Sequence, residues 1–67
     1  MRIGSKVIIS KCFPIERIAG KSGTVTDIEI IKRDGSVRVE VKYDKPIEYN
    51  GSMLPHIWLL DKFVTEV

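Results

Sequence analysis

From Val37 to Tyr43 every second residue is apolar: Val37, Val39, Val41 and Tyr43 alternate with Arg38, Glu40 and Lys42. That two-residue period predicts a half-buried strand over 36–43, its valines inward and its charges in water. The run from Thr24 to Lys32 is also β-rich, but its phase breaks, since Val25 has one parity and Ile28 and Ile30 the other. A one-residue bulge near Thr26-Asp27 would bring all three to the core and bend the strand. Asp34-Gly35 lies between the two runs and predicts a hairpin turn.

The flanks supply shorter strands, at Ser5–Ser10, His56–Leu60 and Phe63–Val67, with Leu60-Asp61-Lys62 as a tight turn. Residues 44–55 contain Pro46, Asn50, Gly51 and Pro55 and read as a loop or wide turn. No window combines a 3.6-residue period with a capping box, so no substantial helix is expected. Five short strands cannot stack as two sheets, but they can close into a small barrel that leaves few edges. The expected fold class is therefore all-β: a small, five-stranded, strongly bent SH3-like barrel, one domain over 1–67. Its expected core is Ile3, Val7, Ile9, Val25, Ile28, Ile30, Val37, Val39, Val41, Leu54, Trp58, Leu60, Phe63 and Val64.

Composition narrows the chemistry. Sixty-seven residues, 43% hydrophobic and 30% charged, make one ordinary globular domain, too small for a nucleotide-hydrolase fold or a deep enclosed pocket. The single cysteine, Cys12, excludes an intramolecular disulfide, and with the single His56 it excludes a protein-only four-ligand zinc site. No cofactor or metal is expected. The longest apolar runs, Val7–Ile9 and Ile57–Leu60, fall far short of the ~20 residues that span a bilayer. No apolar segment of a signal peptide follows Arg2, so the expected location is cytoplasmic. No nucleophile and base stand at readable spacing, and the expectation is a protein that binds rather than catalyses.

Gly20-Lys21-Ser22 resembles the end of a phosphate-binding loop, but the glycine needed five positions earlier is Ile15. Gly4-x-x-Val7-x-Ile9 followed by Gly20-Lys21-Ser22-Gly23-Thr24-Val25 instead resembles the KOW-type motif of small SH3-like barrels. In that family a strand opening near a glycine leads through a loop to a Gly-Lys-x-Gly-x-Val turn. The resemblance covers residues 4 to about 41, and the first loop, Lys11 to Ala19, is longer here. Such proteins are largely ribosomal proteins and transcription elongation factors, so the resemblance implies contact with RNA or a ribonucleoprotein or transcription complex. Gly20 and Gly23 are also expected on local grounds, as residues that accept left-handed backbone in a sharp turn.

Charge adds a position. Residues 1–21 hold Arg2, Lys6, Lys11, Arg17 and Lys21 against Glu16, an excess of four positive charges within a chain of net charge +2. A cationic end attracts phosphates. The nucleic-acid-binding candidates are Lys6, Lys11, Arg17 and Lys21, with Lys45 and Lys62 outside the basic segment as references. Phe13 and Tyr49 lie in loops beside prolines. They define the alternative, a protein-interaction adaptor of phage or mobile-element type that grips a peptide or host protein. A monomer or weak oligomer with no membrane partner completes the expectation.

Overall fold

A computed structural model describes residues 1–67. Its strands are β1 (Lys6–Ile9), β2 (Ser22–Ile30), β3 (Val37–Tyr49), β4 (Ser52–Leu60) and β5 (Val64–Glu66), with one 3-10 turn, Asp61–Phe63, before β5. All pair antiparallel in one sheet of order β4-β3-β2-β1-β5. The two end strands, β4 and β5, are joined by only that three-residue turn. A sheet whose ends are tied so closely must curl on itself, and the all-β, barrel-like fold follows. Leu59 of β4 and Val64 of β5 meet in one buried cluster with Val7, Ile9, Ile18, Val25, Val39, Val41 and Tyr43.

The bulge lies where the phase break placed it. Val25 pairs with Val41 and Asp27 with Glu40, so Thr26 is the extra residue. Its hydroxyl donates to the Glu40 carboxylate at 2.8 Å, which holds the bulge against β3. Val25 is buried, and Ile28, after the phase change, packs partly buried on the same core. The β2–β3 turn also forms as expected. Gly35 has φ +75°, and the Asp34 carboxylate accepts the Ser36 N–H at 2.9 Å and hydroxyl at 2.7 Å.

Residues 44–55 are not a loop. β3 continues to Tyr49, turns at Asn50 (φ 53°) and Gly51 (φ 78°), and returns through pairs Tyr49↔Ser52, Glu48↔Met53 and Ile47↔Leu54. Asn-Gly with both residues left-handed is the favoured two-residue hairpin connection. Pro46 and Pro55, which argued for a loop, fall in the register shift between Lys42 and Ile47, where an absent N–H costs no ladder bond.

The core differs from expectation at both ends. Ile3 (63%) and Ile30 (66%) are largely exposed, and Trp58 is 38% exposed. Pairing fixes the parity of β4: Trp58 lies opposite Glu40 and His56 opposite Lys42, all outward, while Leu59 lies opposite the buried Val39. Ile57-Trp58-Leu59-Leu60 is apolar throughout and carries no parity of its own. Ile18, from the first loop, is buried and joins the core cluster.

Gly23 serves a different purpose from the one expected. Left-handed φ occurs at Gly20 (+79°) but not at Gly23. A Cβ on Gly23 would lie 2.5 Å from the Lys42 carbonyl oxygen and 2.6 Å from Val41 Cγ1. Glycine there lets β2 and β3 cross closely. Gly23→Ala should therefore destabilise by about 1–3 kcal/mol, because a paired backbone carbonyl cannot give way as a side chain can. Denaturant unfolding checks this, and an unchanged midpoint would contradict the close crossing.

Candidate functional site

The first loop spans residues 10–21. Its base is closed by Gly20 N–H donating to the Ile9 carbonyl at 2.9 Å and Ile9 N–H to the Lys21 carbonyl at 2.8 Å. Burial of Ile18 anchors its middle, and Phe13 meets Phe63 edge to face with centroids 5.1 Å apart. The loop is thus held at both ends of its length, and Arg17 and Lys21 project from a fixed frame.

Opposite it runs the extension of β3. β2 begins at Ser22 and its first pair with β3 is Gly23↔Tyr43, so β3 beyond Tyr43 has β4 on one side only. The Arg17 guanidinium crosses to this free edge and donates through Nη1 to the Glu48 carbonyl at 3.1 Å. Pro46, with no N–H, and Arg17 together blunt an edge that would otherwise be open to another strand.

Between loop and extension lies a groove of about 670 Å³ lined by Arg17, Lys21, Ser22, Asp44, Lys45, Pro46 and Ile47. Three cations face one carboxylate there. Asp44 accepts the Ser22 hydroxyl at 2.8 Å and the Lys6 ammonium at 3.0 Å. These two bonds, Ser22's first, hold the Asp44 carboxyl below its ordinary 3.8. Because the folded value is the lower one, the stability Asp44 contributes is present above pH 3.8 and fades as pH falls through the folded value. The expected NMR titration midpoint of Asp44 lies below 3.8, and Ser22→Ala should raise it toward that value. A midpoint that Ser22→Ala leaves unmoved would contradict the assignment.

The sequence candidates separate. Arg17 and Lys21 come together in the groove. Lys6 stands at its flank, paired to Asp44. Lys11 is exposed on the loop, its Cγ facing Gly20, outside the groove lining. Lys45, a reference position by sequence, is part of the groove because β3 carries it there. Reading 44–55 as a loop concealed this, and the only available signal was Asn50-Gly51, which sets the hairpin. Of the adaptor residues, Phe13 is engaged with Phe63, and Tyr49 is half-buried where β3 enters its turn. Cys12 is exposed and free.

A second, smaller hollow of about 280 Å³ lies on the outward face of the sheet, lined by Thr26, Glu40, Lys42, Pro55 and His56. His56 Nε2 is 3.4 Å from the Glu40 carboxylate. No helix is long and apolar enough to cross a membrane. The chain matches no family model, no curated protein and no solved structure.

Proposed function

We propose that this chain is a non-enzymatic binding module that holds RNA, alone or within a ribonucleoprotein or transcription complex, in the groove between the first loop and the β3 extension. The observation that carries the reading is the convergence of Arg17 and Lys21 with Lys45, across some 24 residues of sequence, on one open groove. Three cations around an open channel suit a phosphate backbone, which attracts by charge and needs no enclosed pocket. Asp44 does not cancel them, since its carboxylate is already neutralised by Lys6 and satisfied by Ser22. The resemblance of residues 4–41 to KOW-type barrels supports the RNA side of the reading.

Phe13 is committed to Phe63, so the adaptor alternative keeps only Tyr49 of its two aromatics. The expected result is that a short single-stranded RNA binds the wild type and loses affinity when Arg17, Lys21 and Lys45 become Glu. Binding that survives the reversal would contradict the reading.

A further inference from the structure

Trp58, the single tryptophan of the chain, is 38% exposed on the outward face of β4. Its ring is held by Arg38, whose guanidinium carbon lies 5.3 Å from the ring centroid. Arg38 is held in turn by Glu29 at 2.6 Å. A ring fixed in this way loses little freedom when another flat group stacks on it. The outward residues of β3 run Asp44, Lys42, Glu40 from the groove toward Trp58, which sits opposite Glu40. Four residues of strand cover about 14 Å. The hollow lined by Lys42, Glu40 and His56 occupies the space between.

The charges on this face are arranged in pairs. Glu29 meets Arg38 and Asp44 meets Lys6, while the Glu40 carboxylate accepts the Thr26 hydroxyl and lies 3.4 Å from His56 Nε2. Lys42 stands outside these pairs. A face so nearly neutral offers little to a duplex, whose outer surface is phosphate. It does offer an aromatic ring to a base whose own face is free.

Resting on the reading of the groove as a phosphate site, we propose that Trp58 is a stacking platform for an unpaired base, and that Lys42 bridges it to the groove as a phosphate contact. The occupant is a single-stranded nucleic acid whose backbone lies in the groove and whose neighbouring base reaches Trp58.

Trp58 is itself the reporter. A short unpaired oligonucleotide should quench or shift its fluorescence on binding, whereas the same sequence closed into a duplex should not. Trp58→Leu should weaken single-strand binding on the order of ten-fold with the salt slope unchanged, and Trp58→Tyr should restore most of the loss. Circular dichroism of both variants separates lost stacking from lost folding, and the wild-type fluorescence change depends on neither. Oligonucleotide binding seen by anisotropy with constant Trp58 fluorescence and no loss in Trp58→Leu would overturn the platform and leave the groove intact. Absence of binding by anisotropy at low salt would overturn both.

Discussion

Val39→Asp should leave the domain unfolded at neutral pH. Val39 is 1% exposed near the start of β3, where it is flanked by strands on both sides, paired to Ile28 on one and Leu59 on the other. No buried polar or charged residue is present to receive a carboxylate in this core, whose members are all apolar apart from the Tyr43 hydroxyl. An unpaired buried charge costs several kcal/mol, beyond the lost valine packing. A domain of this size holds a reserve of only about 3–5 kcal/mol. The matched control is Lys42→Thr, on the outward parity of the same strand, which should shift stability by no more than ~0.5 kcal/mol. Thermal melts followed by circular dichroism check both. A cooperative Val39→Asp transition at the wild-type midpoint would mean that the assigned inward face is wrong.

Reversal of Arg17, Lys21 and Lys45 to Glu should produce the largest change in binding. Each contact with a phosphate contributes a counterion-release term, so loss of three contacts and addition of three repelling charges should lower RNA affinity at least a hundred-fold near 50 mM salt. Lys21 and Lys45 are exposed, and their replacement should be nearly neutral for folding. Arg17 also donates to the Glu48 carbonyl, so its loss should cost about 1 kcal/mol of stability. The double variant at Lys21 and Lys45 therefore tests the groove without that cost. Lys32 and Arg33, in the β2–β3 turn at the far end of β2, are the reference pair. Equal losses from the reference pair would reduce the interaction to general charge attraction.

The sequence was most legible where its two-residue period was clean. Val39, Val41 and Tyr43 point inward, and the phase break between Val25 and Ile28 marks a bulge at Thr26. It was least legible where a run was apolar on both parities. Ile57 to Leu60 gave no phase, and only pairing with β3 turns Trp58 outward and Leu59 inward. The groove was half legible for a related reason. Local charge counting found Arg17 and Lys21, which lie near one another in the chain. Lys45 required the knowledge that β3 runs past Pro46 to an Asn-Gly turn, a long-range consequence that two prolines obscured. Ile18 was missed because a loop residue has no periodic neighbours to mark it as core.

The most direct test of the groove is the salt dependence of wild-type binding to a short single-stranded RNA. The three groove contacts alone predict a log–log slope of roughly −2 on a single strand, steepened by about 0.7 by a fourth contact at Lys42, with binding strongest at low salt. Reversal of Lys21 and Lys45 should flatten that slope by a little over one. A slope near zero, or no binding at the lowest salt, would contradict the proposal that this groove holds a nucleic-acid backbone.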